Sequence, residues 1–152
     1  MEYIGGPEPE GCLFCRVREA RPEADAENLT VWRAPQALVM LNKFPYNSGH
    51  VMVAPAAHVA DLADLDPGAL LGLMEAVQRS LRVLRQELKP EGFNVGANLG
   101  RVAGAGIPGH VHVHVVPRWN GDTNFMPVLG ETKVVNEHLL KTREKLAAAF
   151  GA

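Results

Sequence analysis

Three histidines, His110, His112 and His114, alternate with Val111, Val113 and Val115 in "GHVHVHVVPRW" at 109–119. Alternation with valine has the period of a β-strand. The imidazoles then project from one face, about 6.6 Å apart, and the valines from the other. Such a row could decorate a solvent-facing strand, bind a metal or attack an electrophile. Two strand histidines at i and i+2 can share one ion. All three cannot, because the outer pair stand about 13 Å apart. For attack on phosphorus, an imidazole needs one nitrogen held as an N–H donor, which leaves the other bare. Charge developing on the phosphoryl oxygens then needs donors nearby. The flanking histidines and the backbone of "GAGIPG" at 104–109 can supply them.

"CLFC" places Cys12 and Cys15 at C-x-x-C spacing. A redox pair of this kind would follow a strand, and here only a Gly/Pro-rich arm precedes it. Two thiolates at this spacing are half of a tetrahedral zinc site. Two buried apolar cysteines are the plain alternative.

The elements that position these groups follow from pattern and punctuation. The chain has 152 residues, suited to one domain, 12–152, behind a flexible arm, 1–11. Its net charge of −2 implies no general attraction to nucleic acid. The opening residues do not resemble a secretory signal, and no apolar run is long enough to span a membrane, so a cytoplasmic location is expected. "LTVWRA" and "ALVMLNK" read as paired strands around Pro35, and "FPYNSG" as a loop. "HVMVAP" is a third strand, with His50 and Met52 facing away from Val51 and Val53. Asp66-Pro67 caps a long helix whose apolar stripe is Leu70, Met74, Val77, Leu81, Leu84 and Leu88. "FNVGAN" is a fourth strand, with Asn94, Gly96 and Asn98 on one face, and the histidine strand is the fifth. "NEHLLKTREKLAAAF" closes as a helix capped by Asn136, with Lys and Arg facing solvent. The sum is α+β: a mainly antiparallel sheet of about five strands, one long helix and a C-terminal helix.

"HVHVHVV" resembles the signature of the histidine-triad (HIT) family. "VMLNK", "GHVMVAPAAHV", "FNVGANLG", "AGAGIPGHVHVHVVPRW" and "WNGDTNF" also look like family segments, in family order, over roughly residues 12–150. "NKFPYNSGH" and "VPRWNGDTNF" look most like the bacterial branch that phosphorolyses diadenosine tetraphosphate. The resemblance implies nucleotidyl transfer from a dinucleoside polyphosphate through a covalent AMP–histidine intermediate, resolved by phosphate or water. His112 would be the nucleophile. His114 would contact the attacked phosphate and help the leaving group, and His110 would support the triad. His50 matches a histidine that lies behind the nucleophile in relatives.

Asn42 stands where relatives hold the ribose hydroxyls, and Asn98 where they carry an Asn near the phosphates. Turn chemistry or a strand-end cap is the plain alternative for either. Trp119 would flank the base or the opposite subunit, or be a core tryptophan. Where many relatives carry Gln and then Ser or Thr, this chain has Gly106 and Ile107. Only their backbone N–H groups could serve the phosphate, and the lost hydroxyl favours a leaving group that needs no general acid. Some relatives complete a Cys–Cys zinc site with two histidines, which here would be His58 and His110. Family members of this size are generally homodimers, and Val31, Leu38 and Met40 could serve as core or as interface. Magnesium could accompany a polyphosphate, although no magnesium cage is visible. A nucleotide-binding module of low turnover and a sugar-phosphate nucleotidylyltransferase remain as the other two readings. The first would follow from the missing hydroxyl, the second from the Cys/His pattern.

Overall fold

The computed structural model describes residues 11–123 and 138–151. The arm at 1–10 and the Asn136 cap lie outside the described residues. Five antiparallel strands are β1 (Thr30–Arg33), β2 (Ala37–Leu41), β3 (Val51–Pro55), β4 (Gly92–Ala97) and β5 (Val113–Arg118). They form one sheet in the order β1-β2-β3-β5-β4. The histidine strand is therefore interior, flanked by β3 and β4, and β4 is an edge.

Alternation sorts the side chains between two faces. Val39, Leu41, Val51, Val53, Val113 and Val115 are buried on one face. Two helices cover that face, α2 (Pro67–Leu88) and α3 (Leu139–Gly151). Asp66 caps α2, its carboxylate accepting from the Gly68 and Ala69 N–H groups. Its buried stripe is Ala69, Leu73, Ala76, Val77, Ser80, Val83 and Leu84. The expected stripe was turned by about one residue: Val77 and Leu84 are buried as expected, but Leu70 and Met74 are exposed. Alanines fill the contact because they let the helix approach the sheet closely. Periodicity weighted by large side chains overlooks them. On α3, Lys141 and Lys145 are exposed as expected, whereas Arg143 turns inward and donates to the Thr30 carbonyl.

Leu38, Met40, Met52 and Ala54 form a second core on the opposite face, with Phe14 and Val17 packed on them. These two come from α1 (Leu13–Glu19), a helix within what reads in sequence only as a short apolar segment. Seven residues are too few for a stable isolated helix. Tertiary contacts hold it: Arg18 donates to the Ala34 and Pro35 carbonyls, and Arg33 donates to the Arg18 carbonyl. Val31, Leu38 and Met40 are all buried within one chain, so they are core. Among the described residues, no helix is long and apolar enough to cross a membrane.

Candidate active site

The histidine row spans the second face beside α1. Regular strand pairing starts only at Val113, so His110 and His112 sit on the segment leading into β5, with His110 at a bend. His110 and His112 are buried and His114 is half-buried. Each imidazole has a different partner, and the partner fixes which nitrogen carries the proton.

His112 Nδ1 lies 2.9 Å from the His110 carbonyl oxygen. A carbonyl only accepts, so Nδ1 carries the proton and Nε2 of the neutral ring is bare. Burial lowers the affinity of His112 for a second proton, against the opposing pull of that backbone bond. The result is an uncharged imidazole with one free lone pair, the form a nucleophile requires.

His114 has the opposite tautomer. The Tyr46 N–H donates to His50 Nδ1 at 3.0 Å, so His50 carries its proton on Nε2. That Nε2–H donates to His114 Nδ1 at 2.9 Å. His114 therefore accepts on Nδ1 and presents Nε2–H. Burial, then the neighbouring His112, pushes its pKa down to about 4, which keeps the ring neutral. His50 is buried and stands behind His114, not behind the expected nucleophile His112. Gly49, at φ +75°, turns the chain into His50, and a Cβ there would collide with the Leu88 side chain.

His110 makes the third arrangement. Its Nε2–H donates to the Pro55 carbonyl at 3.0 Å, leaving Nδ1 bare. Nδ1 lies 3.2 Å from Cys12 Sγ, 3.2 Å from His58 Nδ1 and 3.6 Å from Cys15 Sγ. Cys15 Sγ is 3.3 Å from His58 Nδ1. One ligand atom from each of the four residues falls within a 4.8 Å span. Tetrahedral zinc with two sulfur and two nitrogen ligands has ligand-to-ligand separations of roughly 3.3–3.8 Å, and the four separations of 3.2–3.6 Å lie close to that range. A metal-bound histidine that donates its other N–H to a carbonyl is also the usual supporting contact. The four residues expected to share a metal are thus brought together.

Phe14, between the two cysteines, was missed in the sequence. Its ring centroid lies 5.1 Å from that of His110 and 5.0 Å from that of His112. Its position inside "CLFC" was the available signal. Pattern could not show that α1 would fold back onto the histidine row. The Arg118–Asp122 pair was also missed: Asp122 accepts from Arg118, the Trp119 N–H and Asn47 Nδ2. The Arg118 guanidinium, followed by the Trp119 N–H, holds the Asp122 carboxyl well below the usual range. The pair fastens the loop that carries Tyr46 to the end of β5.

The remaining expected residues are distributed around this row. Asn42 Oδ1 accepts from the Phe44 N–H, the turn chemistry named as its alternative role. Asn98 donates to the Gly104 carbonyl and lines a cavity of about 260 Å³ with Tyr46, Asn94, Gly96, His114 and Val116. Gly106 is exposed, while Ile107 packs its side chain against the Phe14 core. Trp119 is half-buried beyond β5 and is not part of either core.

The chain is similar to known proteins over most of its length. The HIT domain model matches residues 23–121. An AP-4-A phosphorylase of Mycobacterium tuberculosis (strain H37Rv) is 45% identical over 127 residues, covering 84% of this chain and 65% of that protein. The chain thus spans just under two thirds of that relative's length. A zinc-bound histidine triad family protein from Mycobacterium smegmatis superposes with a TM-score of 0.72 at 29% identity, covering 92% of this chain and 93% of that one. A hypothetical histidine triad nucleotide-binding protein from Sulfolobus tokodaii gives 0.72 at 25% identity, covering 92% of each.

Proposed function

The chain belongs to the HIT family, and from that premise we propose that it transfers AMP from a dinucleoside polyphosphate such as diadenosine tetraphosphate through His112. The observation that carries this reading is the pair of opposed tautomers, a bare Nε2 on His112 beside an Nε2–H on His114. The 45% identical AP-4-A phosphorylase supports the choice of substrate.

His112 Nε2 attacks the α-phosphorus of one adenylyl group. The new N–P bond forms as the bond to the bridging oxygen breaks, and ATP departs with that electron pair. His114 Nε2–H donates to the phosphate as charge develops. ATP leaves as a stable anion, consistent with Ile107 standing where relatives carry a hydroxyl. The His110 carbonyl holds the Nδ1–H as His112 becomes cationic. Phosphate then attacks the AMP–His112 phosphorus to give ADP, and His112 is released. Asn42 near the ribose, and Asn98 with the Gly106 and Ile107 N–H groups near the phosphates, complete the proposed binding site. Trp119 is assigned to the rim. Cys12, Cys15, His58 and His110 would hold zinc, which when bound fixes the position of His110. The exposed β4 edge, with Val95 47% exposed, supports joining two sheets in a homodimer.

The test is product analysis of diadenosine tetraphosphate incubated with and without inorganic phosphate. ADP and ATP formed only with phosphate establish phosphorolysis. AMP and ATP formed regardless of phosphate establish hydrolysis. No product overturns the reading and favours a binding module.

A further inference from the structure

Gly96 has no conformational reason to be glycine. Its φ lies outside the left-handed region, and a Cβ built there meets nothing within 4 Å. Gly49 is the contrast, needed both for its positive φ and for its contact with Leu88. A glycine inside a strand weakens it and often marks a close approach by a ligand or another backbone. Gly96 is also registered directly opposite His114 on β5. Cross-strand partners share a face, so the missing side chain would stand next to the His114 imidazole. That space is the 260 Å³ cavity.

The cavity's polar lining suits phosphate oxygens. His114 offers Nε2–H. Asn94 lines the cavity with its Oδ1 engaged by Arg118 at 2.7 Å, which leaves its Nδ2 as the donor for a ligand. Asn98 contributes a second amide. These are neutral donors, able to bind a polyanion without trapping it. In-line displacement sends the leaving group away from the nucleophile. Of the two histidines at the reaction centre, His114 lines the cavity, and His112 is not among its described lining residues.

The geometry points to Gly96 as a specificity-determining residue: its absent side chain opens a subsite for the polyphosphate of the leaving group. This rests on the nucleotidyl-transfer reading above. Gly96→Ala and Gly96→Val fill the subsite in two steps, with oligomeric state and melting temperature measured for both. Both variants should melt at or above the parent temperature, since strand propensity rises.

Binding is measured without turnover, using AMP and ATP as probes. ATP affinity should fall by about 10-fold in the alanine variant and about 100-fold in the valine variant, the range expected for filling a fitted pocket. AMP affinity should change by less than about threefold. The kcat/KM for diadenosine tetraphosphate should fall in step with ATP affinity, and that for adenosine 5′-phosphoramidate, whose leaving group is small, much less. Equal losses for AMP and ATP, or no loss for either, overturn the assignment. A changed oligomeric state with an unchanged ATP-to-AMP ratio also overturns it and gives Gly96 to a protein interface. A parent chain that binds both nucleotides but turns over neither substrate defeats the catalytic reading alone. The affinity ratio still decides the subsite.

Discussion

At its first end the histidine row is enclosed. The His110 ring is buried, its Nε2–H is tied to Pro55, and its bare nitrogen faces two sulfurs and a second imidazole. At its last end the row opens. The His114 ring is half-buried, its Nδ1 is occupied by His50, and it borders an open cavity of mixed polar and apolar lining. One residue type, repeated at a spacing of two, thus joins a Cys/His cluster suited to a soft metal at one end and presents an N–H beside a cavity at the other. His112 lies between them and takes its tautomer from the main chain of the metal end. Which nitrogen each imidazole presents is set by the group that holds its other nitrogen.

The largest effect should come from removing the group between the two ends. His112→Ala should lower turnover of diadenosine tetraphosphate by more than about 10³-fold with an unchanged circular dichroism spectrum. Trapped, denatured enzyme should also lose covalently bound AMP. A variant that keeps half the parent rate would remove the nucleophile from the middle of the row.

Disconnecting the open end should cost less. His50→Ala leaves His114 without the donor that fixes its tautomer, so Nε2–H is no longer enforced. The expected loss is about 100-fold in kcat, the usual scale for a misplaced proton donor, with a smaller change in KM. Because the side chain is fully buried, the melting temperature should fall as well. His50→Gln can keep one donor at that position, and partial recovery of kcat would separate the tautomer effect from packing.

The enclosed end should matter least for chemistry and most for order. Cys15→Ser or His58→Ala should release zinc, read by metal analysis, and reduce kcat by about 10- to 100-fold, as loss of a supporting partner does. The fall should be accompanied by lower thermal stability, since binding to the native state alone adds to it. Zinc loss without any change in kcat would show that the His110 carbonyl keeps its place unaided.

The triad, the cysteine pair and the alternating strands were legible because each is a local pattern. His50, on the opposite side of β3 from Val51 and Val53, was legible for the same reason. The helix at Leu13–Glu19 was not, because its stability comes from Arg18 and Arg33 bonds to distant backbone. Nor was the partner of His50, since the strand order that sets β3 beside β5 decides whether it meets His112 or His114. The rotation of the α2 stripe away from Leu70 and Met74 depended on how closely Ala69 and Ala76 approach the sheet. The start of β5 at Val113 and not at His110 was not legible either, since the Val111 N–H bonds the distant Val59 carbonyl and His110 bonds Pro55, outside the strand ladders.

The smallest effect, and the one that separates the ends most sharply, is in pH. His114 is held neutral to about pH 4 in the folded chain, against an ordinary value of 6.5. Between these values the unfolded chain binds the extra proton and the folded chain does not. Stability from this group is therefore complete above about pH 6.5, declines as pH falls and changes no further below about pH 4. In chelator-treated protein, where metal release cannot contribute, the free energy of unfolding should decline with acid across this window. His114→Gln should reduce the slope by no more than one proton's worth, about 1.4 kcal/mol per pH unit. His110 and His112, both also lowered by burial, contribute to the remaining slope. A second proton on His114 would set its Nδ1–H against the His50 Nε2–H, so kcat should fall in step with the protonation of His114. An unchanged slope in His114→Gln would mean that the open end is already charged in the fold, and the division of roles along the row would fail.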